Sequence, residues 1–181
     1  MKIDAEGWLI GGEHLPSPNC DGRPEGAIVL LVIHNISLPP NEFGGMGVAE
    51  LFTNTLDHHA HPYYQTLVGL KVSAHFFIRR DGSIIQFVSC LQRAWHAGVS
   101  SWQGRTRCND FSIGIELEGS DFVPYPPAQY DALHALTQAL RHCYPLTGIA
   151  GHQHIAPQRK TDPGAYFDWQ GYLSRLTPTL P

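Results

Sequence analysis

Residues 27–33 read Ala-Ile-Val-Leu-Leu-Val-Ile and contain no polar side chain. A run this short cannot cross a bilayer, which takes about 20 apolar residues, and its branched side chains suit a pleated strand better than a helix. Successive strand residues point to opposite faces, so an unbroken apolar run needs cover on both. The chain must therefore bury this strand in a sheet with packed layers above and below. The run stops at His34, which puts a titratable ring at the mouth of a buried strand.

The rest of the chain supplies neighbours for that strand. Residues 72–79 and 83–88 read as strands joined through Arg80-Asp81-Gly82, a hairpin signal. Residues 111–117 alternate as Phe-Ser-Ile-Gly-Ile-Glu-Leu, a further strand, and the small residues 148–151 form a short one leading into His152. Across residues 127–143, Tyr130, Leu133, Leu136, Thr137 and Leu140 recur at helical steps, with Pro126-Pro127 marking the start. Shorter helices are predicted over 48–56 and 168–176. The Pro/Gly-rich stretch 11–26, the breaker-rich SLPPNEFGGMG and the segment DHHAHPYY read as irregular. With 43% hydrophobic residues the chain can build one real core. The expected fold is α/β (α+β), a mixed central β-sheet flanked by helices, in a single domain over residues 1–181.

Charge and composition narrow the function classes. Lys+Arg number 12 against 16 Asp+Glu, a net charge of -4, which opposes a nucleic-acid surface. No apolar run is long enough to suggest a membrane partner. The N-terminal MKIDAEGWLIGG lacks the apolar core of a secretory signal, so the four cysteines, none in a C-x-x-C pair, read as free thiols of a cytoplasmic protein.

Several polar residues stand where strands stop, a placement the sheet holds rigid while loops leave access. A catalytic zinc needs three protein ligands and one open position. The segment GHQHIAPQRKTDPG offers His152, His154 and Asp162, and His34 completes a set from another strand. Spacing alone leaves His152 and His154 as rivals. Glu116 near the end of its strand suits a general base, or equally a solvated strand face shared with Glu118. Lys160 could meet a developing oxyanion, or simply face water.

The stretches VIHNISLPPNEFGG, LFTNTLD, AHPYY, VSAHFFIRRDG, QRAWHAGVSSWQGRTRCNDFSIGIELEG and GHQHIAPQRKTDPG, in this order, resemble the zinc N-acetylmuramoyl-L-alanine amidases. That superfamily includes the peptidoglycan recognition proteins, and the similarity is strongest to its AmpD-type branch of cytoplasmic anhydro-muropeptide amidases. The resemblance covers nearly the whole chain. It implies a peptidoglycan-recognition/amidase-like domain that binds Zn2+ through His34, His152 and Asp162. Glu116 then matches the catalytic glutamate and Lys160 its helper, while Asn35, Trp95 and Arg107 match residues along the substrate cleft. Lys71 stands where an arginine is expected, keeping the charge but losing the two-pronged fork. His154 stands where relatives carry a small polar residue; it is expected to support the site or face solvent. His75 and His96 are expected in structural or cleft roles.

The implied substrate is an anhydro-muropeptide, cut between muramic acid and L-alanine by a monomer in cell-wall recycling, with a link to β-lactamase regulation. Two other readings are open: a peptidoglycan-binding module without catalysis, which usually lacks a ligand present here, and a periplasmic amidase acting on intact wall. Pro and Gly content suggests that the segment 37–64 moves over the cleft.

Overall fold

The computed structural model describes residues 1–176. In chain order the strands are β1 (Glu13–His14), β2 (Cys20–Gly22), β3 (Leu30–Ile36), β4 (Phe76–Ile78), β5 (Ile84–Gln86), β6 (Gln92–Ala94), β7 (Ser101–Trp102), β8 (Arg105–Thr106), β9 (Ser112–Glu118) and β10 (Gly148–Gly151). The helices are α1 (Gly47–Phe52), α2 (Pro62–Gln65), α3 (Pro127–Cys143), α4 (His152–Ile155) and α5 (Trp169–Ser174). Six strands form the central sheet in the order β1-β5-β4-β9-β3-β10, and two small ribbons pair β2 with β6 and β7 with β8. The sheet is mixed: β4, β9, β3 and β10 run parallel, whereas β5 is antiparallel to β4.

The second half of the apolar run, Leu30 to Ile33, is buried on both faces as its pattern demands. Leu31 and Ile33 point to one side, into a core with Ile113, Ile115 and Leu117 of β9 and with Leu133, Leu136 and Leu140 of α3. Leu30 and Val32 point to the other side, against Ala97, Cys108, Phe111 and Ala150. A further cluster on that side packs Phe77 and Ile85 under Val48, Leu51 and Phe52 of α1. Strand alternation then fixes where the chemistry lies. His34 continues the Leu30–Val32 face, and Glu116 continues the Ser112–Gly114 face of β9, both away from α3.

Some boundaries differ from the sequence pattern. β3 takes up only Leu30–Ile33 of the predicted run, since residues 27–29 lie outside the strand and Ala27 is exposed. It does not stop at His34 but runs to Ile36, because His34, Asn35 and Ile36 keep pairing with Glu116, Leu117 and Glu118. The predicted hairpin forms around Gly82 at φ +87°, but its strands are only three residues each. The helix expected over 48–56 ends at Phe52, after which Asn54 takes φ +60°. α3 and β10 have the predicted extents. α5 starts at Trp169, where the Asp168 side chain accepts from the Gly171 N–H. The turn of helix at Pro62 and the one that begins at His152 carry no periodic signature and were not expected. All four cysteines are free.

Candidate metal centre and cleft

The site sits at the carboxyl ends of the parallel strands, where loops rather than strands surround the side chains. His34 and Glu116 are direct register partners on β3 and β9, so their side chains rise side by side from one face. His152 follows the last residue of β10, and Asp162 returns on the loop after α4. His34 Nδ1 lies 3.0 Å from His152 Nδ1 and 3.0 Å from Asp162 Oδ2, and His152 Nδ1 lies 3.1 Å from the same oxygen. These three donor atoms form the His/His/Asp group able to hold a metal ion.

The residues fit a zinc ion on two counts. A tetrahedral ion bound at about 2.0–2.1 Å sets its ligand atoms about 3.3–3.4 Å apart, close to the triangle of 3.0, 3.0 and 3.1 Å found here. The protonation pattern is also right. His152 Nε2 faces the Ala97 carbonyl at 3.1 Å. A carbonyl only accepts, so the ring proton sits on Nε2 and Nδ1 presents a lone pair. That lone pair faces the Asp162 carboxylate, and two acceptors in contact call for a cation between them. Burial lowers the His34 pKa to about 4 although Asp162 pulls the other way, so the ring stays neutral, as a ligand must be.

Glu116 stands beside this group under different electrostatics. It is buried, and its Oε2 has no hydrogen-bond partner. Burial pushes its pKa well above the ordinary glutamate value, the Asp162 charge adds to the rise, and Lys160 opposes it. A buried carboxyl left unpaired and aimed at a cleft is costly for the fold, which is the usual mark of a group kept for chemistry.

A cleft of about 510 Å³ opens over these residues, lined among others by Asn35, Lys71, Trp95, Glu116, His152, Lys160 and Asp162. A second hollow of about 420 Å³ shares Asn35, Lys160 and Asp162 and continues past Asp121 and Phe122. The Asn35 amide is aimed by donating to Asp121 Oδ1 at 2.8 Å. Arg107 is the exception among the expected cleft residues. It does not line the cleft: it is exposed, takes φ +62° and pairs with Asp110 at 3.0 Å. The edge of the cleft at loop 37–47 is held by buried Glu118, whose carboxylate accepts from Gly44 N–H and Arg80 N–H, while Arg79 donates to the Gly44 and Gly45 carbonyls.

His154 is not a rival ligand. Its Nδ1 accepts from Gly151 N–H at 2.9 Å and its ring packs against Trp169, which turns it away from His34 and Asp162. Sequence reasoning missed Arg159, which lines the cleft and donates to the carbonyls of Ala97 and Val99; no periodicity marks it.

The N-acetylmuramoyl-L-alanine amidase family model (Amidase_2) matches residues 24–165. The chain belongs to this amidase family. The amidase is 56% identical to the 1,6-anhydro-N-acetylmuramyl-L-alanine amidase AmpD of Citrobacter freundii, over 99% of this chain and 97% of that protein. It superposes on the crystal structure of a Se-Met AmpD derivative with a TM-score of 0.94, at 55% identity, over 98% of this chain and 100% of the other. It is also similar to the amidase AmiD from E. coli, solved with anhydro-N-acetylmuramic acid-L-Ala-D-gamma-Glu-L-Lys, with a TM-score of 0.60 and 34% identity over 82% of this chain and 57% of that one. As an amidase of the AmpD type, it has a long helix on one face of a mixed sheet and its metal donors on the other.

Proposed function

We propose that this amidase hydrolyses the amide between anhydro-N-acetylmuramic acid and L-alanine in muropeptides, in cytoplasmic cell-wall recycling. The observation that carries the reading is the convergence of His34 Nδ1, His152 Nδ1 and Asp162 Oδ2 on one point beside the unpaired, buried Glu116. Zinc, when bound, polarises a carbonyl and lowers the pKa of water toward about 7.

The chain's own residues do the rest. Glu116, which lines the cleft, takes the proton of the attacking water on its carboxylate and later returns it to the departing amine of L-alanine. Burial raises its pKa, which favours the protonated form that it must hold between the two transfers. Lys160, facing the cleft, meets the negative charge that grows on the carbonyl oxygen as the centre becomes tetrahedral. Asn35 and Trp95 hold the sugar and the first residue, and Lys71 meets a stem-peptide carboxylate from the cleft rim. Arg107, outside the cleft lining and paired with Asp110, takes no part in these steps.

The test is a zinc-loaded sample incubated with an anhydro-muramoyl peptide and, separately, with intact sacculi. Release of free peptide from the first and not the second is expected. Binding of the muropeptide without cleavage would overturn the reading in favour of a recognition module, and equal release from sacculi would overturn the recycling role.

A further inference from the structure

The outer nitrogens of the two ligand histidines are addressed by two consecutive residues. His152 Nε2 meets the carbonyl of Ala97, and His34 Nε2 meets the ring of His96, whose Nδ1 is 3.0 Å away. The His96–Ala97 pair is itself clasped by one atom: Asn109 Oδ1 accepts from His96 N–H at 3.2 Å and from Ala97 N–H at 2.8 Å.

A carbonyl fixes a histidine tautomer by itself, but a second histidine does not, because either ring could donate. The ambiguity is removed one step further out. The Ser112 hydroxyl donates to the Cys108 carbonyl at 2.6 Å, which commits its only proton. Ser112 Oγ then accepts from His96 Nε2, 3.3 Å away. With the His96 proton on Nε2, its Nδ1 is an acceptor, and His34 must donate from Nε2. His34 Nδ1 is left bare toward His152 and Asp162, the state that a metal ligand requires.

The fold makes room for this arrangement. The Ser112, Gly114 and Glu116 face of β9 lies under the ring of His96, and a Cβ at Gly114 would come within 2.5 Å of it. Glycine at this position of an otherwise well-filled strand leaves a niche of the ring's size. No carboxylate among the described residues bonds to His96, so the relay runs through neutral groups only.

We infer that His96 is a positioning residue, which, through the Cys108 carbonyl–Ser112–His96 relay, dictates that His34 presents Nδ1 to the metal, with Asn109 clasping the His96–Ala97 brace that serves both histidines. The inference rests on the reading of His34, His152 and Asp162 as the zinc ligands. Outer partners of this kind typically change metal affinity 10–100-fold when lost.

The experiment is carried out on the full chain. Nitrogen-15 NMR of the zinc-free protein reports which ring nitrogen of each histidine is protonated, and chelator competition reports zinc affinity. The wild type is expected to show His34 and His152 both protonated on Nε2. His96→Phe fills the niche but removes the acceptor. In this variant His34 gives up its Nε2 proton in part and zinc binds roughly 10–100-fold more weakly, while His152 keeps its Nε2 proton because its partner is a backbone carbonyl. General damage to the site would disturb both rings. Ser112→Ala, a smaller change, leaves His96 in place but lets it sample both tautomers and weakens zinc less. The inference is overturned if His34 keeps Nε2–H and zinc affinity is unchanged in both variants. It is likewise overturned if His34 and His152 change together. Failure of the wild-type chain to bind zinc would sink the metal reading instead, and the tautomer comparison would still decide the relay.

Discussion

Replacing Glu116 with glutamine separates what this residue costs the fold from what it does for the reaction. Glu116 is 8% exposed and its Oε2 has no partner, so the ionised form is held in a poor environment. Glutamine has nearly the same shape and cannot ionise. If Glu116 carries the proton in the reaction, the variant loses roughly 10²–10⁴-fold in kcat, or about 2.7–5.4 kcal/mol of barrier, while zinc stays bound because the three donors are untouched. Stability moves the other way, with a definite sign in pH. The folded-state pKa lies above the ordinary value of 4.5, so the native protein holds this proton more tightly than the unfolded chain. That contribution is fully present below pH 4.5 and is lost as pH rises through the folded-state value. Glutamine suffers no such loss, so the difference in Tm between variant and wild type should grow in the variant's favour from pH 5 to pH 8. Each kcal/mol recovered raises Tm by about 2–4 °C in a chain of this size. The assays are thermal melts of the zinc-free proteins at several pH values, beside kcat on an anhydro-muramoyl peptide. A Tm difference that does not change with pH would refute the burial argument, and turnover within a factor of ten of wild type would refute the proton-transfer role.

Two further outcomes follow from groups outside the reaction. Buried His75 accepts from Gly114 N–H and faces the Gln92 carbonyl and Arg23; burial, and then the Arg23 charge, lower its pKa from 6.5 to about 3. Its contribution to stability is therefore complete above pH 6.5 and is lost as pH falls toward 3, so melts should show a loss of Tm across that range that is smaller in His75→Gln. Glu118→Ala removes the acceptor for the Gly44 and Arg80 amides. Leaving each unpaired costs about 1–3 kcal/mol where water cannot reach, so Tm should fall and KM rise while zinc affinity, read by chelator competition, stays at the wild-type value.

Much of this molecule was legible in its sequence, for local reasons. The apolar run at 27–33 required a strand covered on both faces, and the 3.6-residue recurrence in 127–143 required a helix with one apolar side. Both are read from neighbours along the chain, and both were found, the strand from Leu30 onward. The lengths of the hairpin strands and the reach of β3 to Ile36 were not readable, because pairing partners far away in sequence set where a ladder stops. The donors at the metal site were only candidates by spacing, with His154 as good as His152. Resemblance chose between them on paper, but the physical choice is tertiary: Gly151 N–H and Trp169 turn His154 away, while the Ala97 carbonyl turns the His152 lone pair inward. The strand that most constrained the fold also delivered His34 to the cleft. Which nitrogen it offers there depends on His96, Ser112 and the Cys108 carbonyl, which no local pattern ties to residue 34 and which only the packed sheet brings beside it.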